Sequence, residues 1–302
     1  MAIVTLLCVG GSTMITGEIG NRARTGTPPA RPEGRLPAIT LVRVSGVSHT
    51  HELTVEGTRL TKRYVSWERD EHLREWAALR LAHRHEPGLV PQPLTADLTA
   101  TPPTVTMSVV PGEPLMGELT PAQADALHTA LTALWRVPHE ELAAEWPWSD
   151  DLRFARMLTD GRRPDDDLTA EAFDAAVAWW DGPDPESLRR PPAATVLGQR
   201  DPHLANYLWD GHRVRIVDFE DAAVSDPAME LAILSEHLSL RATDTEAFCA
   251  RFDVDHSRLR AARRVWAMFW LRLLLPGGKS AQRNPPGAAE AQAVRLLRLL
   301  HQ

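Results

Sequence analysis

Between Gln199 and Asp221 the chain reads Gln-Arg-Asp-Pro-His-Leu-Ala-Asn-Tyr-Leu-Trp-Asp-Gly-His-Arg-Val-Arg-Ile-Val-Asp-Phe-Glu-Asp, and this stretch restricts the fold most tightly. Asp210-Gly211 suits the positive φ of a type I′ turn, so the apolar runs on either side pair as a hairpin. That hairpin carries Asp218 back toward Asp201 and Asn206, which lie five positions apart on the preceding loop. Asp, Asn and Gly also gather at turns for local hydrogen bonding alone. Local bonding does not explain an acid closing the apolar run Arg213-Val-Arg-Ile-Val217, because desolvating a carboxylate is costly unless a cation lies nearby. A carboxylate able to take a hydroxyl proton (Asp201), with a carboxamide and a carboxylate offering hard oxygens to Mg²⁺ (Asn206, Asp218), is the set that phosphoryl transfer requires.

The 302 residues, 43% apolar and 24% charged, are enough for two lobes with separate cores. Two cysteines, Cys8 and Cys249, make neither a disulfide framework nor a metal knuckle, which points to the reducing cytoplasm. The apolar start, Met1 to Gly10, lacks a basic region and is too short to cross a bilayer, so no export signal and no membrane span are expected. Residues 1–37 read as a flexible leader that is rich in Gly, Pro, Arg and Thr after Gly17. An N-terminal nucleotide-binding lobe is expected over 38–110 and a helical lobe over 111–302. Through Val110, 12 Lys and Arg stand against 10 Asp and Glu; beyond it, 21 stand against 30. An acidic second lobe argues against nucleic acid as a partner and toward a cationic small molecule.

Within 38–110, three antiparallel strands are expected at Ile39–Val44, Glu52–Val55 and Arg59–Val65, with a turn at Glu56-Gly57. The small polar loop from Ser45 and Gly46 to His51 can close over phosphates with its backbone N–H groups. Only two lysines occur among 33 basic residues, so Lys62, in mid-strand, is an exception; a compact ammonium can pair with the α and β phosphates. A helix is expected over Glu68–His85. Of its two stacked acids, Glu71 and Glu75, the latter lies nearer the apolar stripe and is assigned to hold Lys62. A strand over Thr104–Val110 then runs into Pro111-Gly112-Glu113-Pro114, a hinge at which backbone groups of Ser108 to Val110 would be open to an adenine edge.

Beyond the hinge, Thr120-Pro-Ala-Gln123 combines a capping box with Pro at the first helical position. Further helices are expected at Ala170–Trp180, Ala228–Leu240, His256–Leu275 and Ala288–Leu300. Glu140, Glu141, Asp150, Asp151 and Asp165 to Asp167 can form an acidic wall for a polyamine, or simply a solvated surface. His49, His51, His83 and His85 form two His-x-His pairs, a metal pattern that twelve histidines also produce by coincidence.

On these residues the chain resembles the aminoglycoside phosphotransferase and choline kinase-like family, over roughly Leu41 to Leu240. The family's catalytic loop reads His-Gly-Asp-x-His-x-x-Asn; here it is Gln199-Arg-Asp201-Pro-His203-Leu-Ala-Asn206, followed by the metal-binding strand end Ile216-Val-Asp218-Phe-Glu220. Lys62, Arg74-Glu75, Val90-Pro-Gln-Pro93 and Met107 through Leu115 occur in the family's order. The resemblance implies an α+β, bilobal protein-kinase-like fold with a small antiparallel-sheet N-lobe and a mainly helical C-lobe. It implies ATP and Mg²⁺ as cofactors and phosphate transfer to a hydroxyl of a small polar, cationic acceptor such as an aminoglycoside. Asp201, Arg200 and His203 are the implied catalytic residues. Two departures stand out: Gln199-Arg200 in place of His-Gly, and Glu230 where the family carries an Asp that braces the loop. A metabolite kinase for choline, homoserine or an amino sugar would use the same machinery. A nucleotide-binding pseudokinase would account for the departures and the single glycine of the phosphate loop.

Overall fold

The computed structural model describes residues 51–145 and 156–302. The expected leader, the strand Ile39–Val44, the loop residues Ser45 and Gly46, and Asp150 and Asp151 lie outside them. Four strands form the first sheet: β1 (His51–Glu56), β2 (Arg59–Tyr64), β3 (Pro93–Asp97) and β4 (Thr104–Ser108), in the order β1-β2-β4-β3 and all antiparallel. Lys62 stands opposite Leu53 on one side and Val105 on the other, so it occupies a central strand. Alternation along β2 puts Lys62 and Tyr64 on one face, and both are buried. Helix α1 (Glu71–His85) packs against this sheet through Ala78, Leu79 and Ala82, all fully buried. It begins three residues later than the sequence suggests, because Asp70 sits in the left-handed region at φ 62° and the chain turns there.

The second lobe is mainly helical: α2 (Pro121–Trp135), α3 (Glu140–Glu145), α4 (Asp167–Trp180), α5 (Glu186–Arg189), α6 (Pro227–Glu236), α7 (Thr245–Cys249), α8 (His256–Leu274) and α9 (Ala288–Leu300). The capping box at Thr120 is formed: its hydroxyl accepts from Gln123 N and Gln123 Oε1 accepts from Thr120 N. Helix α6 is buried on every side from Ala228 to Glu236, which makes it the central helix of the lobe, with α8 laid along it. The expected helix to Leu240 stops at Glu236. His237 turns extended and its Nδ1 accepts from Ser239 N, capping a short 3₁₀ turn over Leu238–Leu240.

Two small antiparallel units carry the loops between the lobes. Strands β5 (Glu113–Pro114), β7 (Tyr207–Trp209) and β8 (Val214–Ile216) form one, and β6 (Val196–Gly198) with β9 (Ala223–Ser225) the other. The β7–β8 hairpin turns at Asp210-Gly211, with Gly211 at φ 98°. Gly112, at φ 135°, runs so close to Leu208 and Trp209 that a Cβ would come within 3.0 Å of Leu208 backbone. Only glycine fits this crossing between lobes. Among the described residues no helix is long and apolar enough to cross a membrane.

Candidate active site

Lys62 Nζ lies 2.8 Å from Glu75 Oε2, 2.8 Å from Asp218 Oδ1 and 2.6 Å from Glu220 Oε2, and it is 3% exposed. One buried ammonium therefore faces three carboxylates. Burial works against its charge, but Asp218, Glu75 and Glu220 overcome it and raise its pKa well above the ordinary lysine value. The expected Lys62–Glu75 pair is present. Glu71 instead accepts from Arg69 Nε and Arg69 N, each at 3.0 Å. Tyr64 donates to Glu75 Oε2, fixing the partner as well as the lysine. Arg69 also reaches Asp221 Oδ1 at 3.0 Å, tying the start of α1 to the loop after Asp218.

Glu220 is a site residue that the sequence reading passed over. It stands two residues beyond Asp218, whose backbone is left-handed at φ 65°, so no strand alternation marks it in the sequence. Burial opposes its ionisation, yet Lys62 and His51, whose Nε2 lies 2.7 Å away, hold it well below the usual carboxylate range. Burial and the neighbouring Glu220, Glu75 and Asp201 push Asp218 up, despite Lys62. Among the described residues, Glu75, Asp218 and Glu220 are the one group of His, Cys, Asp or Glu whose ligand atoms converge closely enough for a metal ion, within 4.8 Å of one another. His49 lies outside the described residues, and none of the other three histidines of the His-x-His pairs joins such a group: His51 packs on Tyr64, whereas His83 and His85 lie in the last turn of α1.

Asp201 and Asn206 meet on the loop between β6 and β7. Asn206 Nδ2 donates to Asp201 O at 2.9 Å and to Asp201 Oδ2 at 3.2 Å. Val217 N donates to Asn206 O at 2.9 Å, so the hairpin sets Asn206 beside the residue preceding Asp218. Asn206 is fully buried and its Oδ1 has no hydrogen-bond partner, an acceptor that burial should not leave unused. A carboxamide oxygen and three carboxylates against a single ammonium leave an excess of negative charge and hard oxygen donors, which fits Mg²⁺. Burial, then the charges of Asp221 and Glu220, raises the Asp201 pKa to about 7.

Gln199 ties the loop to the segment around Asp218. It is 1% exposed; its Nε2 donates to Val217 O at 2.8 Å and Asp218 O at 3.2 Å, and its Oε1 accepts from Tyr207 Oη at 2.9 Å. Arg200 and Asp218 both sit in the left-handed region, at φ 66° and 65°, a conformation that side chains adopt at a cost of about 1–3 kcal/mol. Gln199 lies between them and fixes the carbonyl of one. Gln199→Leu should therefore destabilise the fold by about 1–3 kcal/mol through the buried groups it orphans, as read by chemical denaturation. Glu230, a methylene longer than the Asp that the resemblance implies, reaches the loop backbone. Its Oε2 accepts from Arg200 N at 3.4 Å, and its carboxylate lies where a Cβ on Gly198 would stand.

Three expectations change. His203, grouped with the catalytic residues, uses Nδ1 to accept from Ala205 N at 3.0 Å, and burial lowers its pKa to about 4, so it is a neutral cap of the loop. At the hinge, Ser108 N donates to Gln92 O and Val109 N to Thr58 O. Of the three residues expected to be open there, Val110 alone makes no hydrogen bond among the described residues. Among the described residues of the acidic wall, Glu141 meets Arg84 and Asp165 meets Arg162, each at 3.0 Å, while Asp166 caps α4.

The chain is similar to several solved structures. A choline/ethanolamine kinase family protein from Mesorhizobium loti aligns over 86% of this chain and 87% of its own, with 18% identity and a TM-score of 0.60. Choline kinase LicA from Streptococcus pneumoniae aligns over 85% and 92%, with 13% identity and a TM-score of 0.56. The streptomycin–ATP complex of APH(2'')-IIa aligns over 86% and 92%, with 14% identity and a TM-score of 0.58. At these identities the likeness is one of fold, the bilobal kinase-like fold expected above. No curated protein matches the chain. The model of the Phosphotransferase enzyme family matches residues 50–269. Matched over most of its length, and built on the fold of the small-molecule kinases, the chain belongs to the phosphotransferase enzyme family.

Proposed function

We propose that the protein transfers the γ-phosphoryl group of ATP to a hydroxyl of a small polar, cationic acceptor. The observation that carries this reading is the convergence of Lys62, Glu75, Asn206 and Asp218 beside Asp201, a base with a pKa raised to about 7. Asp201 orients the acceptor hydroxyl and takes its proton as the oxygen bonds to the γ-phosphorus and the β–γ bridging oxygen departs with ADP. Lys62, steadied by Glu75, turns its ammonium to the α and β phosphates. Asn206 Oδ1 and Asp218 would hold Mg²⁺, with Glu220 close by. When bound, the metal neutralises phosphate charge and orients the nucleotide. Arg200 and His203 act by shaping the loop, and Val110 offers the hinge edge to the base of the nucleotide.

The acceptor class draws on two relatives and one feature of the lobe. APH(2'')-IIa is known with streptomycin and ATP, and a streptococcal relative is a choline kinase. A second reading, a choline-type amino alcohol, is favoured by a chain of rings leading from the catalytic loop. His203 contacts His237 at 5.1 Å and His237 contacts Trp270 at 4.9 Å, with both histidines kept neutral by burial. Aromatic faces attract a quaternary ammonium. The test is to incubate the protein with γ-labelled ATP, Mg²⁺ and a panel of aminoglycosides, choline and other amino alcohols. Label should pass to one class of acceptor, and Lys62→Met should suppress the transfer. Nucleotide binding with no label on any acceptor would instead indicate the pseudokinase.

A further inference from the structure

A second cleft lies in the helical lobe, between α5 and the first half of α8, with a volume of about 690 Å³. This is within the range that encloses small ligands. Its walls bring together Arg189, Arg190, Arg260 and Arg264, against Asp184 and Glu186. Such a concentration of guanidinium groups is out of keeping with its surroundings, since the chain beyond Val110 carries nine more acids than bases.

The four arginines are differently committed. Arg264 is nine-tenths buried; its Nε donates to Leu299 O at 2.9 Å and its Nη1 to Asp184. It is a guanidinium fixed in the wall by its ion pair with Asp184. Arg189 and Arg190 reach Glu186 only at 3.6 and 3.8 Å, longer than a charge-assisted hydrogen bond, so their donors remain available. Arg260 makes no ion pair or hydrogen bond among the described residues, and it is exposed. Ser187 and Ser257 add hydroxyls to the lining.

We propose that this cleft binds a small, multiply charged phosphorylated anion, at a place separate from the catalytic loop. Planar guanidinium forks match phosphate oxygens two at a time, and several of them in one concavity select for more than one phosphoryl group. The volume suits a soluble metabolite. Arg258 must be left intact in any test: its Nη1 donates to Ser187 O and Arg190 O, at 2.7 and 2.9 Å, while its Nε holds Asp226 at 2.9 Å. It thus supports both the cleft wall and the cap of α6.

The experiment is a calorimetric titration of the full chain with inorganic pyrophosphate in the presence of a chelator. Wild-type protein should bind one equivalent, more weakly as salt is added. In the Arg189→Gln/Arg260→Gln double variant the Kd should rise at least about tenfold, whereas Lys62→Met should bind as wild type does. Thermal melting verifies that the double variant folds, and Arg260→Gln alone, at an exposed position, serves if it does not. Absence of binding to the wild type, equal affinity in the arginine variants, or loss of binding in Lys62→Met would each overturn the proposal.

Discussion

Asp201→Asn should lower kcat by about 10²–10⁴-fold, the usual contribution of a general base, with nucleotide affinity little changed. The amide keeps an oxygen for Asn206 Nδ2, which also bonds the residue 201 carbonyl, so the loop retains its shape while losing its proton acceptor. Steady-state kinetics with whichever acceptor takes the label in the panel, set beside nucleotide titration, separates the two effects. Normal turnover by the variant would remove Asp201 from its role. The same substitution carries a sign in stability. The folded-state pKa of Asp201, about 7, lies above its ordinary value of 3.8, so the folded protein binds this proton more tightly than the unfolded chain. The associated stability is complete below the unfolded value and is lost as pH rises through about 7. Without metal, Asp201→Asn should therefore melt higher than wild type near pH 8, and the difference should fade toward pH 5.

The second large effect concerns Glu236, which touches no part of the catalytic cluster. Fully buried at the end of α6, it meets Arg263 Nε at 2.8 Å, Arg295 Nε at 2.5 Å and Arg241 Nη1 at 3.4 Å. These contacts join α6, α8 and α9, and Arg263 also reaches Glu246 on α7 at 2.6 Å. Three guanidinium groups share this carboxylate and among the described residues only Arg263 has a second one, so Glu236→Gln leaves uncompensated buried positive charge and should cost about 3–5 kcal/mol. The consequence extends to the site, because Ser239, three residues on, accepts from Leu204 N in the catalytic loop at 3.0 Å. Denaturant unfolding gives the stability loss directly, and an unchanged midpoint would show that the arginines find other partners.

What could be read from the chain depended on how locally each feature is encoded. Lys62 stood out because lysine is nearly absent. The helix over Ala288–Leu300 was delimited to the residue by its apolar period. Asp201, Asn206 and Asp218 were legible because one loop and one hairpin hold all three. Gln199 was not, since its value lies in main-chain carbonyls 18 and 19 positions away and in the Tyr207 hydroxyl. Nor was the Glu236 cluster, whose arginines come from three later segments. At the hinge, local reasoning failed for a related cause. Ser108 and Val109 leave their strand, yet Gln92 and Thr58, distant in the chain, take up their N–H groups. His203 kept its place in the motif but serves the loop's own backbone.

The central claim is that the buried cluster around Lys62 is a nucleotide–metal site, with Asn206 Oδ1 and Asp218 as its oxygen donors. A calorimetric titration with a nonhydrolysable ATP analogue, run with Mg²⁺ and again with chelator, addresses it most directly. One equivalent should bind in Mg²⁺, with affinity falling sharply in chelator and in Asp218→Asn. Binding of equal strength with and without metal, or an Asp218→Asn variant as tight as wild type, would contradict it.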